Sequence, residues 1–574
     1  MYRDRDGQPL TEGRPVTGQV EGTGVLVERC GWSLVWLGVL LAGLGVWGSW
    51  TEWPWTALVA PLLVLAGIAG TVVVWVVRDP GARALHLAGL VGALVAVAVP
   101  QAAGIHVRQF YTTDSGAFDQ VSARALLHGH DPYTTSLASA ASLFKSPWEY
   151  WTYTVDGGHV THASYPAGSF LFDTAAMVVG FHHQVVDWVD LAAWLVTAVL
   201  LYALVPVALR WVSVLVFLTP LLTGMFANGG TDAVFVPLLV VAVWRWDRFA
   251  TGRDGGLADW IGPVALGLAC TVKQTPWFCV PFLVLGVWLE ARRRGVDPWR
   301  VAGRYVGIVA AVFVVVNLPF IVWSPTAWVD GTLLPLTQPL VADGQGLVTL
   351  AIHGLTGGVV LPLLTVAGVL AYLALVAAFV VWYPSVKRIW LLALPLVLLV
   401  PARSLSSYLL DLFPAALVAA ITVAPAARST ATTGRRRWAG RAAVGGPLVA
   451  AAAVAVVAFT SAPLALSVVG FRTSNATQQL DAVTVSVHNG TGRAVTPRFM
   501  VAIGGAHPTG FWRASTGRLV VLAPGATATV TLEPEEYTWS PVRGGYWMVE
   551  AYTTSPNALS TSPLQFWRLG KPQF

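Results

Sequence analysis

The interval Gly104–Pro166 decides how the rest of the chain is read. It begins GIHVRQFYTTDSGAFDQVSARALLHGHDPYTTSL (104–137) and closes on GGHVTHASYP (157–166). Hydrophobic runs long enough to cross a bilayer lie on both sides of it. Between them the chain places Asp114, Asp119, Asp131 and Asp156 with His106, His128, His130, His159 and His162, and with Tyr111, Tyr133 and Tyr165. A polar loop held between greasy spans is where this sequence concentrates groups able to move protons, so chemistry is expected here.

Composition supports that reading. Of 574 residues, 55% are hydrophobic and 11% charged, with mean hydropathy +0.64. Soluble domains carry about 25% charged residues, so the pattern is that of a polytopic membrane protein. The net charge of +6 sits in short loops between apolar runs, where it reports topology and is no nucleic-acid footprint. Cys30, Cys270 and Cys279 fall in apolar runs without metal-ligand spacing and are expected to be buried small hydrophobes.

About thirteen spans are expected, near 31–50, 55–77, 84–103, 187–206, 211–227, 231–247, 256–272, 274–290, 301–323, 357–382, 388–402, 408–425 and 443–464. Arg78 and Arg83 make the loop before the third span cytoplasmic, which turns 104–166 outward and keeps the N-terminal tail, 1–30, inside. Within the outer loop, 116–128 and 136–146 are expected as surface helices. The run 167–181 is short, carries Asp173 and ends in His182-His183. If it does not cross, every later basic loop (Arg210, 245–253, 292–304, 387–388, 428–441) faces the cytoplasm, so it is read as re-entrant or partly inserted. From about 467 to 574 apolar and polar residues alternate between Gly, Pro and Asn, the pattern of a small antiparallel β-sandwich, placed outside by parity. Its aromatics (Phe511, Trp512, Tyr537, Trp539, Tyr546, Trp547) suit the core of a small sheet, although Phe511-Trp512 beside Arg513 also suits a sugar-stacking loop; the domain is expected to help hold an acceptor. Asn475-Ala-Thr477 and Asn489-Gly-Thr491 match the glycosylation triplet.

Asp114 stands just beyond a span, where a carboxylate could act as general base on a hydroxyl at membrane depth. Thr113-Asp114-Ser115 equally suits a helix N-cap. Asn228, Asp232, Lys273, Arg403 and Asp411 fall at turns that the parity argument puts on the same outer face. Cations opposed to carboxylates there suit a phosphate leaving group facing a base, and snorkelling helix ends are the plain alternative.

Asp114-Ser-Gly-Ala-Phe118, followed by Ala123-Arg-Ala-Leu-Leu-His-Gly129-His-Asp-Pro132-Tyr133, resembles the first extracytoplasmic loop of the glycosyltransferase-C superfamily. It is similar above all to bacterial polyprenyl-phosphate-sugar-dependent mannosyltransferases. Tyr165-Pro166 resembles a Tyr-Pro-Pro of those proteins with Ala167 in place of the second proline, Gly229-Gly-Thr-Asp232 their second acidic motif, and Lys273-Gln-Thr-Pro276 their lysine-proline turn. The resemblance covers roughly 84–430 and leaves out the first two spans and the C-terminal sandwich. It implies a helical membrane bundle of glycosyltransferase-C type with that sandwich appended, in the plasma membrane. By the same resemblance, a polyprenyl-phosphate sugar is the donor and an envelope glycan or glycolipid the acceptor. Asp114 is then the catalytic base, with Asp119 its neighbouring competitor because Phe118 stands where a tyrosine is usual. Tyr133, Tyr165, Asn228, Asp232, Lys273 and Arg403 would meet substrate, Lys273 and Arg403 on the lipid phosphate. No metal is demanded, though Asp114 and Asp232 could ligate a divalent cation. The rival readings are a transporter or flippase of lipid-linked sugar, and a non-catalytic scaffold for envelope assembly.

Overall fold

The computed structural model describes residues 17–48, 56–77, 79, 81–108, 110–144, 151–226, 230, 232–251, 259–425, 434–474, 479–503, 506–535 and 546–566. Asn228, Tyr537, Trp539 and Asn475-Ala-Thr477 lie outside these residues. The chain divides into two compact units, Met1–Ala103 with Leu201–Thr223, and Gly104–Leu200 with Gly224–Phe574.

Among the described residues seven helices are long and apolar enough to cross a membrane: Gly24–Trp47, Leu58–Val76, Arg83–Val107, Val185–Leu204, Pro298–Trp323, Leu361–Val381 and Ala439–Thr460. The pair Val207–Leu218 and Pro220–Phe226 is an eighth if taken as one span bent by 60°, with Pro220 at the break. Other apolar runs give helices of about half a bilayer's length, such as Asp232–Val243 and Ile261–Val272, each 12 residues, or about 18 Å at 1.5 Å per residue. The run read as re-entrant forms Gly168–Val178, 11 residues, which covers about 16 Å of a hydrocarbon layer about 30 Å thick. Leu58, Leu62 and Leu65, one face of their helix, are 60–70% exposed, as lipid-facing positions are.

In the first unit small residues let two helices touch. A Cβ on Gly67 would lie 2.8 Å from both the Trp36 carbonyl and the Leu40 nitrogen, and one on Gly70 would run into the Trp36 ring. Such approaches drive helix pairing where no water is present to drive it. Arg29 closes the end of the second helix by donating to the Val74, Trp75 and Val77 carbonyls at 2.6, 2.8 and 2.8 Å. Cys30, expected to be buried, is exposed on the first helix, whereas Cys270 and Cys279 are buried.

In the second unit the residues expected as a surface helix form Asp114–Leu127, but nine of its 14 residues are buried and Ala117, Phe118 and Val121 join a core cluster, so it is packed inside the unit and does not lie on a surface; 136–146 yields only the turn Ala140–Leu143. Two hydrogen-bonded layers accompany the helices. The smaller is a two-residue parallel pair, β1 (Asp343–Gly344) with β3 (Arg403–Ser404). The larger is a sheet of nine strands: β2 (Gly358–Val360), β4 (Leu464–Thr473), β5 (Leu480–Asn489), β6 (Arg498–Ile503), β7 (Ala506–Ala514), β8 (Thr527–Pro534), β9 (Tyr546–Thr554), β10 (Asn557–Thr561) and β11 (Gln565–Phe566). Its order is β2-β10-β9-β6-β7-β8-β5-β4, with neighbouring strands antiparallel, and β11 flanks β9. The strand-rich region thus begins at Leu464 and also recruits β2 from between the helices.

Strand side chains alternate between faces, and both faces of this sheet are apolar. Phe499, Val501, Trp512, Trp547, Val549 and Ala551 share one core with Val483, Val485 and Val487. Met500, Ala502, Met548, Tyr552 and Leu559 face the other way, into a cluster with Tyr153, Val155, Val341, Ala342, Val348 and Val359. Phe511-Trp512 is therefore no open sugar-stacking pair. Trp512 is core, and Phe511 packs edge-on against Tyr153 with ring centroids 5.7 Å apart. The Asn489 of the second triplet is buried, donating to the carbonyls of Arg493, Leu522 and Ala523 at 2.8–3.1 Å. Lys387, expected in a cytoplasmic loop, is also buried, between Asp247 at 3.4 Å and Glu290 at 3.2 Å.

Candidate active site

Asp114 opens its helix. Thr113, not Asp114, is the cap: its side chain accepts from Gly116 N at 3.3 Å. The Asp114 carboxylate is thereby left for another partner, and its Oδ2 accepts from Thr152 N at 2.8 Å. Asp114 is half-buried and interacts electrostatically with Asp119, His159 and Tyr165. Burial holds the His159 imidazole below its ordinary value against the pull of Asp114.

Thr152 belongs to a hairpin. Tyr153 pairs with His159, Val160 N donates to the Thr152 carbonyl at 2.9 Å, and Thr154 N to the Gly158 carbonyl at 2.9 Å. Gly157 makes the turn at φ 96°, a conformation that favours glycine. The hairpin's outer strand bonds to the ribbon 339–345: Val155 N to the Pro339 carbonyl at 3.1 Å, and Val341 N to the Tyr153 carbonyl at 3.0 Å. The far end of the same ribbon pairs with Arg403-Ser404, through Asp343 N to the Ala402 carbonyl at 3.1 Å and Gln345 N to the Ser404 carbonyl at 2.7 Å. One ribbon thus supports both the residue that holds Asp114 and Arg403. Arg403 is partly exposed, donates to the Val341 carbonyl at 3.3 Å and lies 3.9 Å from the Asp343 carboxylate.

Asp119 is buried on the next turn of the helix. Ser169 Oγ donates to its Oδ1 at 3.0 Å, while Oδ2 has no hydrogen-bond partner among the described residues. Burial pushes this carboxyl up to about 7, opposed by the Ser169 bond and by Lys273 and reinforced by Asp114 and Asp232. A group that titrates near neutrality is matched to proton transfer.

Lys273 follows the helix Ile261–Val272 and is buried in an ion pair with Asp232. Its ammonium lies over the Tyr165 ring at 5.1 Å and the Tyr408 ring at 5.3 Å, with Asp411 among its charged neighbours. Gln274 fixes the turn by donating to the Thr332 and Ser164 carbonyls at 2.6 and 3.1 Å. Tyr165 is half-buried at the edge of this group, whereas Tyr133 is core. The Tyr133 hydroxyl donates to the Tyr165 carbonyl at 2.8 Å, and its ring meets Phe170 and Phe320. Tyr133 therefore supports Tyr165 from behind instead of meeting a substrate. Ala167, in place of a second proline, donates its N–H to Asn317 Oδ1 at 3.0 Å, which a proline could not do.

The structure thus brings together Asp114, Asp119, Tyr165, Asp232 and Lys273. The sequence reading overlooked Tyr408, Thr152 and Ser169, and also Asp187 and Asp190. The last two are buried on Val185–Leu204, Asp187 with Arg108 at 3.2 Å and Asp190 accepting from Gly230 N at 3.0 Å. The available signal was a pair of acids three residues apart at the start of an apolar helix, costly unless paired or used. No group of three or more His, Cys, Asp or Glu among the described residues could hold a metal ion. No family model matches the chain, and no curated protein and no solved structure matches it.

Proposed function

We propose that this chain is an integral-membrane glycosyltransferase that moves a sugar from a polyprenyl-phosphate donor to a glycan or glycolipid hydroxyl at the outer face of the plasma membrane. The single observation that carries the reading is the arrangement of Asp114. It is a half-buried carboxylate fixed at one oxygen by Thr152 N, within electrostatic reach of a buried acid whose other neighbours include Lys273 and Asp232. In the proposed step Asp114 takes the proton of the acceptor hydroxyl, whose oxygen attacks the anomeric carbon. The bond from that carbon to the phosphate oxygen breaks, and polyprenyl phosphate leaves with the electron pair. One displacement inverts the centre. Lys273 is already matched by Asp232, so it contributes a fixed local field. Arg403, with a looser partner at 3.9 Å, is the cation better able to turn onto the leaving phosphate.

The same proposal includes the architecture of about thirteen crossings of glycosyltransferase-C type, in which the half-length helices complete spans beyond the seven. It also places the N-terminus in the cytoplasm and the sheet outside. The reading is tested by incubating proteoliposomes with a polyprenyl-phosphate sugar labelled in the sugar. Release of polyprenyl phosphate in step with label on the acceptor is expected, and an intact donor after many hours opposes the reading.

A transporter of lipid-linked sugar is the second reading. It is favoured by buried carboxylates that neighbour one another in series, Asp119 with Asp173, Asp173 with Asp190, and Asp190 with Asp187 and Asp232. Such rows occur in proton-coupled pathways. In the same proteoliposomes this reading requires intact donor to change leaflets without loss of its sugar.

A further inference from the structure

The ribbon 339–345, which supports the hairpin holding Asp114 and pairs with Arg403-Ser404, is covered by the C-terminal sheet, and the covering residues are specific. On β9 the side chains of Met548, Glu550 and Tyr552 point to the ribbon face, alternating with Trp547, Val549 and Ala551 on the far face. The Tyr552 hydroxyl donates to Glu550 Oε2 at 2.9 Å, and the Tyr552 side chain packs in one buried cluster with Val341 and Ala342 of the ribbon. Ala342 lies between Val341, which bonds to Tyr153, and Asp343, which pairs with Arg403. Phe511 of β7 packs on the Tyr153 ring at 5.7 Å. Arg498 of β6 would lie 3.5 Å from a Cβ on Gly157 and interacts with Asp156 at the tip of the hairpin.

We propose that the sheet is a positioning element for the reacting groups, and that Tyr552 and Glu550 are its clamp on the ribbon that aligns Asp114 and Arg403. The assignment of roles to Asp114 and Arg403 rests on the function proposed above; the clamp itself does not. The sheet then acts through the shape of the site, and an acceptor need not touch it.

Burial pushes the Glu550 carboxyl up to about 7, reinforced by Asp343 and opposed by the Tyr552 bond. The titratable groups facing it are the neutral Tyr552 on its own strand and Asp343 on the ribbon, the latter backed by Arg403. The adjacent strands set the uncharged Met500 and Thr561 opposite it. A carboxyl raised in the folded state contributes stability that is fully present below its ordinary value and lost as pH rises through about 7. Above that pH, Glu550 and Asp343 oppose each other as like charges, and the clamp loosens.

The test is amide hydrogen exchange on the full chain in lipid nanodiscs at pH 6 and 8, corrected for the intrinsic pH dependence of exchange. Wild type is compared with Tyr552→Phe and Glu550→Gln. At pH 6, Tyr552→Phe should lower protection of 151–160 and 339–345 about five- to tenfold, the effect of one lost hydrogen bond, with β5 and β8 unchanged. In wild type the same two segments should lose protection between pH 6 and 8, and Glu550→Gln should remove that dependence. Equal protection of the two segments in all three proteins overturns the proposal, as does loosening of the whole sheet in Tyr552→Phe. With donor supplied, Tyr552→Phe should lower kcat and leave donor KM in place. If wild type transfers no sugar, the proposed function fails while the exchange result still decides the clamp.

Discussion

Replacing Lys273 by Met keeps the apolar stem and removes the charge. Both partners of the Lys273–Asp232 pair are nearly inaccessible, with side chains 6% and 8% exposed. Removing one partner of a buried pair costs about 3–5 kcal/mol, because the other charge is left uncompensated. Here Asp232 would also face Asp119, Asp190 and Asp411, and the Tyr165 and Tyr408 rings at 5.1 and 5.3 Å would lose a cation contact of about 0.5–1 kcal/mol each. The total, about 4–7 kcal/mol, is a large share of the 5–15 kcal/mol typical of folded domains. Lys273→Met with Asp232→Asn removes both charges and should recover at least half of the loss. The assay is reversible unfolding in mixed micelles followed by tryptophan fluorescence. A single substitution within about 1 kcal/mol of wild type, or a double variant equal to the sum of the singles, would show that the pair is not a buried, coupled unit.

Gly67→Val inserts a side chain where even a Cβ lies 2.8 Å from backbone atoms of the neighbouring helix. It should destabilise the protein by about 1–3 kcal/mol, read in the same unfolding assay, while Gly45→Ala, where a Cβ meets nothing within 4 Å, should be close to neutral. Asp119, pushed up to about 7 in the folded chain from an ordinary 3.8, makes folding less favourable as pH rises through that window. Unfolding free energy should fall by up to about 4 kcal/mol between pH 4 and 8 in wild type relative to Asp119→Asn; parallel pH curves for the two proteins would remove Asp119 as a neutral-range titrating group.

The helix Asp114–Leu127 was legible because a Thr cap, an acid at the start and apolar spacing are local signals. The sheet was legible from two-residue alternation. Alternation does not say what each face meets, however, so Phe511 and Trp512 read as a candidate binding pair when one packs on Tyr153 and the other fills the core. The ribbon 339–345 carried no signal, since its meaning comes from hydrogen bonds to residues nearly 190 positions before it and nearly 60 after it. Tyr408 is an ordinary aromatic in an apolar run until the fold sets its ring beside Lys273. Lys387 shows how a parity argument treats a residue as a loop charge when packing has enclosed it among carboxylates.

The central claim is that Asp114 is the base of a sugar transfer, and single-turnover transfer by Asp114→Asn is its most direct measurement. The label is carried in the sugar of the polyprenyl-phosphate donor, and donor binding is measured in parallel. Loss of a general base lowers turnover by about 10²–10⁴, so the variant should bind donor as wild type does and transfer at least a hundredfold more slowly, with Asp119→Asn less affected. Transfer by Asp114→Asn at near wild-type rate would contradict the account.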